Sequence, residues 1–436
     1  MSAKSKRLLL FAGKLGYQIH SFDAAARKLG AEITFVTDRC HQLEDPWGDR
    51  AIPVHFEAPE AAAYSVLEAV RERRENIDGL LALGDQPAVA AAYVARGLGV
   101  QYHHPLAVEA CRSKLRTREI LRETGLRVPW FRTLALQPTP EPALLGISYP
   151  CIVKPLVLSA SQGVMRANNR EEFMAALERI GRLLASPAIL ARREAHLDEL
   201  IVEGYIPGAE VAVEGLLREG CLRVLAIFDK PDPLEGPFFE ETIYVTPSRL
   251  PRSVQREVQR CAESVVRALG LAHGSVHAEF RINHQGVWPL EIAARPIGGL
   301  CARALRFVSA ESQEMIGLEE LLLRHALGLG VEGWCREALA AGVMMIPVPQ
   351  SGVLEKVRGQ EGARETPGIT GLEITARVHD HIAAWPEGSS YLGFLFAQAS
   401  TPEEAESALR VAHGKLKFVL VPRLPVEHPA TQRILA

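Results

Sequence analysis

Apolar positions along the chain change their spacing several times, and each change marks a different kind of element. An apolar run, Arg7–Ala12, leads into Gly13-Lys14-Leu15-Gly16 and then into helical spacing from about Tyr17 to Leu29, stopped at Gly30. Glu32–Thr37 reads as a second strand, Glu60–Arg74 as a helix, Gly79–Leu83 as a short strand, and Gln86–Arg96 as an Ala-rich helix closed by Gly97. Apolar strands alternating with helices predict a parallel sheet covered on its faces. In such sheets ligands favour the carboxyl ends of the strands, so Gly13–Gly16 and Gly84-Asp85 are places for a small substrate group. The Gly13/Gly16 turn lacks the full dinucleotide fingerprint and reads as a plain strand-to-helix turn.

The pattern then changes. A single helix is expected over Ala107–Glu123, a strand at Cys151–Pro155, a loop at Leu158–Gly163 and a strand at Val164–Ala167. Asn169 with Glu172 reads as the cap of a helix over Glu171–Leu184, and Leu200–Glu203 as another strand. Strands dominate next, followed by a helix (Val254–Leu269) and a hairpin (Ser275–Arg295). In the tail, Tyr391–Ala397 reads as a strand, and Thr401-Pro402-Glu403-Glu404 as a capping box with proline in the first turn. These shifts divide the chain into 1–105, an α/β unit; 106–203, a linker helix and a lid lobe; 204–330, a core lobe; and 331–436, a small C-terminal lobe.

Composition adds exclusions. A chain of 436 residues with net charge -3 has no global field for nucleic acid or an anionic membrane. No apolar stretch is long enough to span a bilayer, and the run Leu8–Ala12 is too short for a secretory signal. The seven cysteines are odd in number, scattered and without a CxxC pair, which points to reduced thiols in a cytoplasmic protein.

The strongest chemical signal is SVHAEFRINHQGVWPLEIAAR. A three-residue loop at His284-Gln285-Gly286, with Gly286 in the left-handed position, sets Asn283 against Val287 and Glu279 against Glu291. His277, Arg281 and Arg295 share that face. Ala278, Phe280, Ile282, Trp288, Leu290 and Ile292 then form an apolar face. Two carboxylates paired across strands have Cβ atoms about 5 Å apart and repel by on the order of 3 kcal/mol at an effective dielectric near 20. A hard divalent cation offsets that repulsion, and Mg²⁺ commonly takes one or two carboxylates plus phosphate oxygens. Pairing of the glutamates with Arg281 and Arg295 is the other reading.

Lys154 lies in an apolar strand, PCIVKPL, where an ammonium needs a partner. Beyond it Ser159, Ala160, Ser161 and Gly163 form a small-residue loop that lets backbone N–H groups approach phosphate. Lys114 sits in ACRSKLRTREIL, where Arg112, Arg116 and Arg118 otherwise suggest a solvated face. LIVEGYIPGAEVAVEGL reads as strand, Gly/Pro break and strand, with Glu203 and nearby backbone able to read a purine edge. His103-His104 and His379-Asp380-His381 lack zinc spacing and read as surface loops.

The order of these features, from Lys114 and Lys154 through the small-residue loop and VEGYIPG to HAEF and LEIAARP, resembles the ATP-grasp superfamily over essentially the whole chain. Lys230 in IFDKPDPLEGPFFEE and the ending RPIGG resemble the L-amino acid ligases in particular. The resemblance implies a Rossmann-like parallel sheet followed by a two-lobed ATP-grasp fold. It implies an ATP-dependent ligase that activates a carboxylate as an acyl phosphate and joins it to an amine, with small-molecule substrates, most simply amino acids. It further implies that Lys114 and Lys154 hold the α- and β-phosphates, and that Ser159, Ser161 and Gly163 belong to a lid over the γ-phosphate. Glu203, Tyr205 and Ile206 would read adenine, and Glu210 a ribose hydroxyl. Lys230 would approach the phosphates, Glu279 and Glu291 would hold Mg²⁺ (or Mn²⁺), and Arg295 would stabilise the acyl phosphate and oxyanion. Gly298 and Gly299 would shape the carboxylate pocket, with His277 close by. Ala293 departs from the family's Glu-x-Asn and cannot coordinate a second metal. A ligase acting on bicarbonate or a purine-pathway intermediate, and a nucleotide-binding regulator without chemistry, are the alternatives; a homodimer is left open.

Overall fold

The computed structural model describes residues 5–13, 19–38, 51–136 and 145–422. Gly16 and Cys40 lie outside the described residues. The expected parallel sheet is present: β1 (Arg7–Ala12), β2 (Glu32–Thr37), β3 (Ala51–Pro53) and β4 (Gly79–Leu83) pair in the order β3-β2-β1-β4, all parallel. Leu8, Leu9, Leu10 and Phe11 are fully buried, as strands covered on both faces require.

The helix expected over Ala107–Glu123 is two helices, Pro105–Arg112 and Lys114–Glu123. Ser113 between them is extended, and its hydroxyl accepts from the Arg116 N–H at 3.2 Å. A serine that caps in this way stops one helix and starts the next, so Lys114 occupies a helix's first turn. His103 is also not a surface residue: it is 2% exposed at the seam between the first unit and the core sheet. Its Nε2 lies 3.1 Å from the Ser275 carbonyl, and its Nδ1 accepts from the Ala272 N–H at 3.3 Å. His104 is exposed and caps the helix Pro105–Arg112.

The lid is an antiparallel sheet of β5 (Phe131–Ala135), β6 (Cys151–Pro155), β7 (Met165–Ala167) and β8 (Glu199–Gly204) in the order β5-β8-β6-β7. The helix Arg170–Leu184 packs on it, capped as expected by Asn169, whose side chain accepts from the Glu172 N–H at 2.9 Å.

The core is an eight-stranded sheet. It contains β9 (Ala209–Arg218), β10 (Cys221–Lys230), β11 (Ile243–Thr246), β12 (Gly274–Asn283) and β13 (Gly286–Ala293). After two short strands, β14 (Arg306–Ser309) and β15 (Met315–Gly317), which form a small sheet with β16 (Trp334–Arg336), the chain returns to it. β17 (Ala340–Ile346), β19 (Ile369–Ile374) and β21 (Gly393–Ala399) complete the order β13-β12-β9-β10-β11-β17-β21-β19. β18 (Gly352–Arg358), β20 (His381–Ile382) and β22 (Lys417–Val421) form a second small sheet. The Thr401 capping box has both of its bonds and opens the helix Pro402–Lys415.

The back face of β9, β12 and β13 carries Val211, Val213, Ala278, Phe280 and Ile292, and the helix Arg252–Ala268 packs there through Val258, Ala262, Val265 and Val266. The same apolar cluster includes Val89–Ala92 of the first unit. The front face mixes buried apolar side chains, among them Ala212, Leu216 and Phe228, with the polar side chains that position the site.

Candidate active site

The β12–β13 hairpin sets Glu279 directly opposite Glu291, by a route that differs from the expected one. Asn283 pairs with Gly286, so only His284 and Gln285 form the turn. The Asn283 side chain accepts from the Gln285 N–H at 2.9 Å and closes it. Gly286 has φ +116, and a Cβ there would meet the Arg127 guanidinium at 1.9 Å. Such a turn alone would mismatch the glutamates. The register shifts between Glu279 and Phe280, where Leu290 is the extra residue, and this bulge restores the pairing. The correction also reassigns faces: Val287 and Pro289 are buried, while Trp288 stands opposite Arg281 and Leu290 turns to the cleft.

Strand pairing assembles the rest. β9 lies between β10 and β12, with Glu210 opposite both Lys230 and Arg281, Ala212 opposite Glu279, and Glu214 opposite His277. The small Ala212 leaves room beside Glu279. Lys230 Nζ sits among three carboxylates: 2.8 Å from Glu210, 3.0 Å from Glu279, and hydrogen-bonded to Glu241. It also lies 5.1 Å from the Tyr244 ring centre. Burial disfavours its ammonium, but the three carboxylates outweigh burial and raise its pKa well above the ordinary value. Burial likewise acts against the Glu279 carboxylate, yet Lys230 and His277 hold its pKa below the usual range. Glu241 is pushed upward by burial and by Glu279.

His277 is clamped, with Nδ1 3.1 Å from Glu214 and Nε2 3.6 Å from Glu279. Burial opposes the imidazolium, but these two carboxylates push its pKa up to about 9. Glu214, fully buried, also accepts from the Ile297 N–H at 3.1 Å and so ties the Arg295–Gly299 segment to the sheet.

A second buried network closes the cleft on the lid side. Glu203 takes Arg118 at 2.8 and 3.3 Å and is ion-paired to Lys154. Burial disfavours the Glu203 charge, but the two cations hold its pKa down at about 2. Lys154 thus has the partner that its apolar strand demanded, and Arg118, 2% exposed, is not part of a solvated face. The Glu203 carboxylate is turned onto these cations, and Glu210 onto Lys230 and Arg281 (2.9 Å), rather than standing free toward a base or a ribose. Lys114 Nζ donates to the Leu158 carbonyl. In the loop it touches, Ala160 and Ser161 have φ +55 and +54, and Gly163 +73. The left-handed conformation costs a residue with a Cβ roughly 1–2 kcal/mol.

Two cavities share Lys114, Lys154, Leu158, Ser159, Leu290 and Glu291. The smaller, about 100 Å³, is a slot framed by Glu203–Ile206, Glu210, Phe239, Glu279 and Arg281. The larger, about 890 Å³, lies between lid, core sheet and first unit and is lined by Arg295, Gly298, Gly299 and the Gly84-Asp85 turn. Arg295 crosses to the first unit and binds Asp85 at 2.9 and 3.3 Å. Most residues expected from the sequence line one of the two cavities; Lys230 and His277 lie behind Glu279 in the sheet and Gly163 lines neither, while Asp85, Arg118, Glu214, Glu241 and Tyr244 were not expected as partners. Spacing could have found two of them: Arg118 is one helical turn beyond Lys114, and Glu214 shares a strand face with Glu210.

This fold, with a lid sheet and a core sheet closing on a slot that opens into a chamber, defines an ATP-grasp architecture, and the chain belongs to the ATP-grasp family. The ATP-grasp domain model matches residues 147–304, and the ATP-grasp N-terminal domain model matches 22–100. Residues 344–421 match the L-amino acid ligase C-terminal domain 2. An L-amino acid ligase from Bacillus licheniformis superposes with a TM-score of 0.79 at 27% identity, covering 96% of this chain and 100% of that one. The ATP-grasp enzyme fsqD of Aspergillus fumigatus is 27% identical over 61% of this chain, which spans 46% of that protein's length. A D-alanine–D-alanine ligase of Geobacter sulfurreducens is 26% identical over 57% of this chain and 71% of its own. An N5-carboxyaminoimidazole ribonucleotide synthetase from Thermotoga maritima shares the fold at 17% identity and a TM-score of 0.67, covering 95% of this chain and 100% of that one. Among the described residues, no helix is long and apolar enough to cross a membrane.

Proposed function

We propose that this protein joins two amino acids through an amide bond, spending ATP as a substrate and working in the cytoplasm. The observation that carries the reading is the junction of the two cavities. The slot beside Glu203–Ile206 meets the chamber headed by Arg295 at Lys114, Lys154, Ser159 and Glu291. A nucleotide in the slot would direct its phosphates to that junction, and a carboxylate steered by Arg295 would meet them there. The chamber of about 890 Å³ has room for two amino acids and far exceeds the needs of bicarbonate.

The donor set fits Mg²⁺. Glu210, Glu241 and Glu279 bring oxygens within 4.8 Å of one another, but Lys230 already sits among them. Glu279 meets Lys230, His277 and Tyr244 through Oε1, which leaves its Oε2, together with Glu291, which lines both cavities, to face a cation. These two glutamates would hold Mg²⁺, which when bound supplies charge neutralisation on phosphate oxygens.

The chain's own residues then position and shield. Lys114 and Lys154 neutralise phosphate charge, and Lys230 approaches from the sheet side. The carboxylate attacks the γ-phosphorus in line, ADP leaves, and the acyl phosphate faces the amine. Arg295, held by Asp85, is placed to stabilise the oxyanion that forms on attack. Loop 159–163 excludes water from the acyl phosphate.

The test is incubation with ATP and amino acid mixtures, reading phosphate release and product mass. Amide formation in the wild type and at least a hundredfold loss in Glu279→Gln, with an unchanged fold, is the expected result. ATP consumption that no amino acid stimulates would remove the reading.

A further inference from the structure

The loop between β6 and β7 is fastened from outside the lid. Trp385 Nε1–H donates to the Ala160 carbonyl at 3.1 Å, and the Gly163 N–H donates to the Pro386 carbonyl at 2.9 Å. The Gln162 side-chain amide donates to the Glu387 carbonyl at 2.6 Å. The Glu387 carboxylate in turn takes the Arg179 guanidinium, from the helix Arg170–Leu184, at 2.5 and 2.8 Å. Three consecutive residues of the C-terminal part therefore hold the loop at three of its residues and hold the helix beside it. Trp385 is buried against Tyr391, the rings tilted with centres 5.0 Å apart. Ser389, two residues past Glu387, lines the chamber with Val157–Ala160.

We propose that Trp385-Pro386-Glu387 is a positioning clasp that fixes the backbone of loop 159–163 over the transferred phosphoryl group and keeps water from the acyl phosphate; this rests on the ligase reading above. Two of the bonds go to loop backbone, so they specify its conformation and not merely its proximity. The loop needs such specification. Apart from Gln162 its side chains are small, and Ala160 and Ser161 hold consecutive left-handed conformations that short polar loops do not keep by themselves. The Arg179–Glu387 pair has side chains 36% and 39% exposed, so it adds little to global stability. Its place beside the loop makes it a tether, and a salt-sensitive one. None of these residues touches the slot or the metal pair, which makes them positioning residues.

Two measurements test the clasp. Trp385→Phe keeps an aromatic ring, though a smaller one, and removes the N–H donor; hydrogen exchange of the peptide spanning 158–164, without any substrate, should quicken about tenfold. In turnover, the wild type should give one ADP per amide. Trp385→Phe should give several ADP per amide, because water intercepts the acyl phosphate and returns carboxylate and phosphate. Arg179→Glu and Glu387→Arg should each raise that ratio, and the double swap should bring it back. If Trp385→Phe does not fold, the charge-swap series carries the test alone. Exchange and ADP-to-amide ratio both at wild-type values in the variants would overturn the clasp. Absence of amide from the wild type would sink the ligase reading instead, leaving the exchange result to judge the clasp.

Discussion

Acid should unfold this protein through the histidines at the seam between the first unit and the core sheet. His103 accepts from the Ala272 N–H through Nδ1 and donates from Nε2 to the Ser275 carbonyl, so both nitrogens are satisfied only in the neutral ring. Protonation would set two donors face to face. His325 bonds the Leu217 carbonyl at 3.0 Å and stacks on His273 at 4.5 Å, with Arg218 adding a further positive charge nearby. Burial first, and then the neighbouring histidines, push His103 and His325 from 6.5 down to about 4. Each drop corresponds to about 3 kcal/mol, at ~1.4 kcal/mol per decade of proton affinity. Two such groups weigh heavily against a typical stability of about 5–15 kcal/mol. Between those values the unfolded chain binds protons that the folded chain does not, so stability is present above 6.5 and is lost as pH falls toward 4. His103→Phe isolates one group. At neutral pH it should be less stable by about 1–3 kcal/mol, because the Ala272 N–H loses its acceptor. By the acid end of the series that gap should close by about 2 kcal/mol, since phenylalanine cannot charge. Urea unfolding followed by tryptophan fluorescence from pH 7 to pH 4.5 reads the difference. A gap that stays constant across the series would refute the reasoning.

Two further outcomes follow from single contacts. Arg118→Met should lower stability by about 3–5 kcal/mol, because it takes the bidentate partner from the buried Glu203 and leaves only Lys154; the urea midpoint checks it, and a loss below 1 kcal/mol would contradict the assigned network. Asp85→Asn removes the charge that holds Arg295, and kcat/KM for the carboxylate substrate should fall by about a hundredfold with little change in the KM for ATP; steady-state kinetics with each substrate varied in turn decides it.

The first sheet was legible because its strands are apolar on both faces and its helices end near glycines, at Gly30 and at Gly99, two residues beyond the expected Gly97. The same holds for the caps at Asn169 and Thr401, where local side-chain chemistry sets the boundary. The Ser113 break was hidden because the flanking residues all suit a helix, and only the serine's own hydrogen bond divides them. The hairpin is the most instructive case. The facing of Glu279 and Glu291 was read correctly from a turn that the chain does not make. A two-residue turn and the bulge at Leu290 shift the register in opposite directions and cancel at the glutamates, while Val287, Trp288 and Pro289 keep the shift. Partners distant in sequence were out of reach: Asp85 with Arg295 and Trp385 with Ala160 are joined by the packing of separate units. His103 was taken for a loop residue because its donor and acceptor, the Ala272 N–H and the Ser275 carbonyl, come from the approach to a strand and from the strand itself, far along the chain.

The run of strands from β13 to β19 joins the hairpin of Glu279 and Glu291 to the C-terminal part of the chain through a continuous ladder of peptide hydrogen bonds. The segment from β17 to β21 is thus built into the core sheet rather than hung from it. Cutting the chain ahead of β17 would leave β11 as a raw edge, its apolar Ile243 and Val245 stripped of cover and open to any passing strand. A relative's tail could be grafted here only if its strands met Tyr244 and Val245 in the same alignment, so whatever selectivity the tail confers has to evolve in step with the sheet that carries the chemistry.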